Sequence, residues 1–289
     1  MNATEARSHR AAALILSLCL CASVASCGTY SPLDSHYNRG VELYDQGKIP
    51  EAIREYRLAI EDAPESYRAH YNLAVALHDL GKKDDAAREY GEVLKLNPDN
   101  ARARVSLASI RADEGKDAEA LKLLEEAAAV DPNSSFPRES LGAYYERKGA
   151  LIRALENYLL ATTIEPGSAS AHAGAARLLA LQGSYQDAVA EYDKALAADG
   201  NDPATLLAAS EAREKVGDLK VAMLLLERAL IHVKDRPAPW LRLSRLYEAQ
   251  GRLEDAVASI WEARAIDPAN ADAGPRLKAL YEKLAAKER

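Results

Sequence analysis

Between Gly47 and Pro64 the sequence reads GKIPEAIREYRLAIEDAP, and between Gly81 and Pro98 it reads GKKDDAAREYGEVLKLNP. The two stretches lie 34 residues apart and share a Gly, an Ala, a Tyr and a closing Pro. The Gly recurs without a break as Gly47, Gly81, Gly115, Gly149, Gly183, Gly217 and Gly251, and the Ala as Ala52, Ala86, Ala120, Ala154, Ala188, Ala222 and Ala256. Four residues after each Ala stands Tyr56, Tyr90, Leu124, Tyr158, Tyr192, Leu226 or Ile260, followed three residues later by Ala59, Val93, Ala127, Ala161, Ala195, Ala229 or Ala263. Spacings of four and seven put these side chains on one face of a helix. The Gly marks where a preceding helix stops and reverses, because a positive φ costs Gly little. Pro64, Pro98, Pro132, Pro166 and Pro268 end the second helix of their repeats, and Pro50 falls in a first helical turn, where its missing N–H is tolerated. Each period is therefore a helix hairpin. A hairpin this short cannot bury a core alone, so neighbours must stack to supply one.

The composition agrees with an all-α reading. Of 289 residues, 48% are hydrophobic and 28% charged, with one Phe, two Trp and a formal net charge of −7. That mixture suits helices. The acidic balance argues against nucleic acid as a partner, and the regular recurrence of Leu, Ile, Val, Tyr and Ala argues against disorder. Cys19, Cys21 and Cys27 all precede the repeats, so no disulfide can staple the body.

The first helix of each repeat carries a small residue at its middle: Gly40, Ala74, Ala108, Gly142, Ala176, Ser210 and Ser244. Leu73, Leu107, Leu141 and Leu243 precede it, and Leu43, Leu77, Tyr145, Leu179 and Tyr247 occupy a bulky slot three residues on. This pattern, running from residue 33 to 270, resembles the tetratricopeptide repeat family. The resemblance implies an all-α, right-handed α-solenoid of seven hairpins, with the first helix of each lining a concave side. Arg111 and Arg213 depart from the bulky slot in repeats three and six, and Gly200 and Lys234 replace the closing Pro, so the repeats that carry these departures are expected to pack less tightly. Residues 271–289 are expected to form a capping helix, with Leu277, Leu280, Tyr281 and Leu284 inward and Lys278, Glu282, Lys283 and Lys287 outward.

The amino terminus reads as an address. Arg7 and Arg10 precede the apolar run Ala11–Ala22, and no charged residue follows until Asp34. The run is shorter than the ~20 residues that span a bilayer. It ends in Val24-Ala25-Ser26-Cys27, which resembles the lipobox of bacterial lipoproteins. That resemblance implies a signal peptide over 1–26, diacylglycerol on the Cys27 sulfur and, with Gly28 rather than Asp next, the periplasmic side of the outer membrane. Residues 27–32 would then be a tether, the five after Cys27 reaching no more than about 17 Å. An ordinary cleaved signal and an uncleaved anchor reaching Leu33 are the alternatives.

Nothing in the chain spells out a reaction. It holds no phosphate loop, GxSxG or HExxH. His36, His70 and His172 share one repeat position with Trp240, which reads as a packing slot rather than a metal site. We therefore expect no catalytic residue, metal, cofactor or small-molecule substrate. The partners expected are protein or peptide segments in the groove, and the membrane through the lipid. The groove-facing positions are Asp34, Tyr37, Asn38, Val41 and Tyr44 in repeat one, and Arg68, Tyr71, Asn72, Val75 and His78 in repeat two. Repeat three adds Arg102, Val105, Ser106 and Ser109, and repeat seven Leu241, Arg242 and Arg245. Tyr37 with Tyr71, and Asn38 with Asn72, form an aromatic–amide ladder that either grips a ligand or covers the joint between repeats. The clamp by which chaperone-binding members of the family hold a carboxylate tail would need Lys, Asn, Asn, Lys and Arg where this chain has Tyr37, Val41, Asn72, Arg102 and Ser106. Asn72 matches and Arg102 keeps the charge, so that ligand is not expected. The architecture resembles the pilotin-type and Tad-type lipoproteins of pilus assembly, which implies a scaffold that helps an envelope machine assemble. An adaptor for peptidoglycan enzymes or envelope proteases, and an envelope enzyme with an unrecognised site, are the other readings.

Overall fold

The computed structural model describes residues 32–287, with side chains from Ser35 onward. The expected signal sequence, Cys27, the expected tether up to residue 31 and the Asp34 side chain lie outside the described residues, and Pro32, the last tether position, already belongs to the first helix. Every regular element within them is a helix. In order they are α1 (Pro32–Asp45), α2 (Ile49–Asp62), α3 (Tyr67–Asp79), α4 (Lys83–Leu96), α5 (Ala101–Asp113), α6 (Asp117–Val130), α7 (Ser135–Arg147) and α8 (Leu151–Ile164). They continue with α9 (Ala169–Leu181), α10 (Tyr185–Ala198), α11 (Pro203–Lys215), α12 (Leu219–Leu230), α13 (Pro237–Ala249), α14 (Leu253–Ile266) and α15 (Ala273–Lys287). The chain divides into two compact units, one ending at Lys116 and the other beginning at Asp117. Within each unit, helices pack on their neighbours in sequence, and first helices of adjacent repeats also touch, as α1 touches α3 and α9 touches α11.

The repeated residues do what their spacing required. The seven turn glycines all take a positive φ, between 72° and 84°. Ala52, Ala86, Ala120, Ala154, Ala188, Ala222 and Ala256 are each 0% exposed. The rings or aliphatic chains one turn later, from Tyr56 to Ile260, are all buried as well. The small residue of the first helix exists because of that ring: a Cβ on Gly40 would lie 2.5 Å from Tyr56 Cε1. Several first helices are capped by a side chain, with Asn100 Oδ1 accepting from Ala103 N at 2.9 Å and Asp202 Oδ2 from Thr205 N at 2.8 Å.

The histidine slot is a latch and not simple packing. His70 Nδ1 meets Glu89 Oε2 on α4 at 2.7 Å, while its Nε2 meets the Pro64 carbonyl, at the end of the preceding repeat, at 3.1 Å. His172 repeats this with Glu191 at 2.6 Å and Pro166 O at 3.0 Å, and His36 meets Glu55 at 2.6 Å. Trp240 keeps one half of the device, donating Nε1–H to Lys234 O at 3.0 Å. Burial would raise the Glu191 carboxyl, but its bonds to Lys194 and His172 outweigh this and hold it below the ordinary glutamate range.

Three expectations change. Arg213 does not loosen repeat six: it is clamped by Asp193 Oδ2 at 2.6 Å and Asp218 Oδ2 at 2.9 Å. Arg111 likewise reaches Glu114 Oε2 at 2.9 Å. The missing prolines are also covered, because Arg228 donates to the Gly200 carbonyl and Lys234 O is held by Trp240. In the cap, Leu277 and Leu280 are buried, but Tyr281 is half exposed beside Trp261, whose Nε1–H points at its hydroxyl from 3.3 Å. Tyr281 follows Leu280 by 100° around the helix, too far to share its core face. Among the described residues no helix is long and apolar enough to cross a membrane.

Burial pushes the Tyr90 and Tyr192 hydroxyls up from 10.0 to about 12. A phenol whose pKa is raised by folding contributes stability that is complete below pH 10 and is lost as the pH climbs toward the folded value. Each such Tyr should therefore cost on the order of 1 kcal/mol per pH unit above pH 10. Thermal melts between pH 9 and 11.5, read with phenolate absorbance, should show melting temperature falling and the buried phenols ionising only as helix is lost. Full ionisation near pH 10 with intact helix would contradict this.

Candidate functional site

In the first unit α1, α3 and α5 are the first helices of their repeats, and their shared face carries two adjoining hollows. One, of about 200 Å³, is lined by Val41, Tyr44, Asp45, Tyr56, Asn72 and Val75. The other, of about 250 Å³, is lined by Tyr37, Tyr67, Arg68, Tyr71, Asn72, Asn100 and Arg102. Asn72 borders both. The fold thus brings together Tyr37, Val41, Tyr44, Arg68, Tyr71, Asn72, Val75 and Arg102 of the anticipated positions.

The ladder serves the joint and the surface at once. Asn72 Nδ2 donates to Tyr37 Oη at 3.1 Å, linking repeat two back to repeat one, and its side chain lines the same hollow as the buried Tyr56 ring. The Tyr37 ring packs on Tyr56 with centroids 6.3 Å apart, and Tyr71 packs edge-on against Tyr90 at 5.8 Å. Both rings are half-buried walls whose inner edges are held and whose outer edges face the hollows. The Tyr44 hydroxyl donates to Asp79; that bond first, then burial, pushes it up to about 12. Asn38 is half-buried and engaged within the fold. Val105 is buried, and His78, Ser106 and Ser109 are half-buried on the same helices. Arg68 and Arg102 are exposed, and Arg68 bonds only the neighbouring Tyr67 side chain among the described residues.

Repeat seven behaves differently. Leu241 is 7% exposed and sits in a cluster with Ile260, Leu277 and Leu280, so the cap helix takes the side chain that was expected to face a ligand. Arg242 is spent on the joint with repeat six: Nε reaches Glu214, Nη2 reaches Ser210 Oγ at 3.0 Å and Nη1 the Leu207 carbonyl at 3.4 Å. Arg245 is exposed. A hollow not anticipated from the sequence lies in the second unit, about 200 Å³, with a floor of Ala173, Gly174, Ala204 and Ala208. Gly174 is required there, since a Cβ would lie 2.6 Å from the Tyr158 ring. The one cation on its lining, Arg177, is paired with Glu146.

Tyr67, Asn100, Asp45 and Tyr56 also line the first-unit hollows and were missed. Asn100 is legible as an N-cap, which places it at the mouth between α4 and α5. Tyr56 is a core residue whose far edge surfaces in the hollow, a double use that spacing does not reveal.

Removing the Asn72 amide should cost about 1 kcal/mol, because it breaks the bond to the Tyr37 hydroxyl that links repeats one and two. Arg68→Ala and Arg245→Ala should stay within about 0.5 kcal/mol of the parent, as exposed side chains outside the joint. Urea denaturation of the three variants checks this, and equal stability of all three would remove Asn72 from the joint.

The tetratricopeptide repeat family model matches residues 37–92, 79–135 and 148–203, just over half of the chain. No curated protein matches it. Among solved structures it is similar to pilF of Pseudomonas aeruginosa, with a TM-score of 0.61 and 22% identity over 70% of this chain and 92% of that one. It is also similar to the C-terminal part of a TPR repeat-containing protein from Cytophaga hutchinsonii, with a TM-score of 0.60 and 18% identity over 82% and 97% of the two chains. A chain of the APC/C hetero-tetramer Cut9-Hcn1 gives a TM-score of 0.61 at 17% identity over 83% of this chain, which spans about half of that one, 48%. At these identities the likeness is one of fold. With its helix crossings closed by an alanine in each 34-residue period and the family match covering most of the same periods, the protein belongs to the tetratricopeptide repeat family.

Proposed function

We propose that this protein is a non-catalytic scaffold, tethered by lipid on Cys27 to the periplasmic side of the outer membrane, that holds a partner polypeptide during assembly of an envelope machine. Tetratricopeptide repeats are protein-interaction scaffolds, and the observation that carries the reading is the first-unit face. It presents two side-chain-sized hollows with walls fixed from behind and two exposed guanidiniums. Such preorganised aromatic area loses little entropy on binding a chain segment. The tether rests on Val24-Ala25-Ser26-Cys27 behind a short apolar run. The choice of a pilus or secretin system rests on the architecture shared with pilotin-type lipoproteins, with which the fold likeness to pilF is consistent.

Two measurements test it. Mass spectrometry of the mature protein should find an acylated amino-terminal Cys27, and Cys27→Ser should leave the membrane fraction with its melting temperature unchanged. Affinity capture from detergent-solubilised membranes should recover a pilus or secretion component. Recovery of peptidoglycan hydrolases instead would move the protein to the cell-wall adaptor reading, and an unmodified amino terminus would remove the tether.

A further inference from the structure

We infer that the first-unit face takes an extended polypeptide segment in which an acidic side chain stands three residues from an aliphatic one. The inference rests on the scaffold reading, since it names what the proposed face grips.

The two hollows differ in chemistry. One is aromatic and cationic: Tyr37, Tyr67 and Tyr71 surround Arg68 and Arg102, and among the described residues no carboxylate is part of its lining. Among the described residues neither guanidinium is drawn into an ion pair, so both are open to an acceptor from outside. The other is aliphatic at its floor, with Val41 and Val75, and acidic at its rim. Asp45 is exposed there, and Asp79 holds the Tyr44 hydroxyl, so a ligand carboxylate placed at this end would be repelled. The nearest lysines do not reverse that sign. Lys48 bonds Gln46, Lys83 pairs with Asp113 at 2.6 Å, and Lys82 with Lys83 borders a separate depression at the turn.

Geometry sets the spacing. Asn72 lines both hollows, which places them side by side along α3. Arg68 and Val75 are seven residues apart on that helix, a rise of about 10 Å. A segment extended as polyproline II rises about 3.1 Å per residue with three residues per turn, so side chains three residues apart share one face about 9 Å apart, one over the arginines and the other over the valines. Each hollow has room for one side chain. The tyrosine walls are already oriented, Tyr37 by Tyr56 and Asn72 and Tyr71 by Tyr90, so the site is formed before the ligand arrives.

The test uses the full chain in detergent micelles and fluorescent octapeptides of Ser and Gly, acetylated and amidated so that a lone Glu is the only charge. Each carries one Leu at a spacing of one to five residues from the Glu, on either side. Fluorescence anisotropy should show tightest binding at a spacing of three, with Lys in place of Glu weakening it about tenfold or more. The Arg68→Glu, Arg102→Glu double variant should reverse the preference in favour of Lys while its circular dichroism and melting curve stay those of the parent. Equal binding of Glu and Lys peptides, no binding by any of the series, or an unchanged preference in the double variant would overturn the inference. Its failure is separable from that of the scaffold reading. If the double variant still captures the membrane partner, the scaffold stands and this face is not its grip; if the parent captures nothing, the scaffold itself falls.

Discussion

Where the two helices of a repeat cross, the second contributes an alanine with no exposed surface, and the rest of the fold is arranged around that close approach. A methyl group at the crossing lets the backbones come near enough for the side chain one turn later to reach the neighbouring repeat. Tyr56 does this, filling the space that Gly40 leaves open and reaching the hollow it shares with Asn72 of the next repeat. A larger residue at Ala52 would separate the helices, move the ring and cut the link between repeats. Because each hairpin lacks a core without its neighbours, the crossing decides the stability of each unit and also the shape of its exposed face.

That face follows a division of labour by register. Asn72 and Arg242 stand at the same repeat position, five periods apart, and both bridge to the repeat before them. The amide does so by holding a tyrosine hydroxyl, and the guanidinium by holding a serine, a carbonyl and a glutamate. What remains free for a partner lies one turn earlier in the register, as Arg68 and Arg102 do. A residue that faces outward by helical phase is therefore not the same as one that is available. The deciding question is whether the preceding repeat offers it an acceptor, a donor or a cap to pack beneath.

The histidine position illustrates how one slot can be filled by different chemistry. In His70 and His172 two ring nitrogens reach a carboxylate on the second helix and a carbonyl of the previous repeat, so three segments are tied at one point. Trp240 has a single N–H and keeps only the carbonyl. Arg111 and Arg213 show the converse at the bulky slot, where carboxylates make up for the missing ring. Ion pairs of this kind are weak on the surface but stronger when partly buried and doubly held, as Arg213 is.

The amino-acid sequence by itself determined the helix hairpins, their turns, the crossing residues and the half of the face that lies in repeats one and two. All of these follow from spacings of four, seven and 34 residues, which local backbone geometry converts directly into position. The tertiary structure decided the rest. It buried Leu241 beneath α15, exposed Tyr281, committed Arg242 to a joint and placed the two hollows side by side at Asn72. Each of those outcomes depends on a partner 19 to 39 residues away, on another helix, and such a distance is set by how helices stack rather than by the period of any one of them.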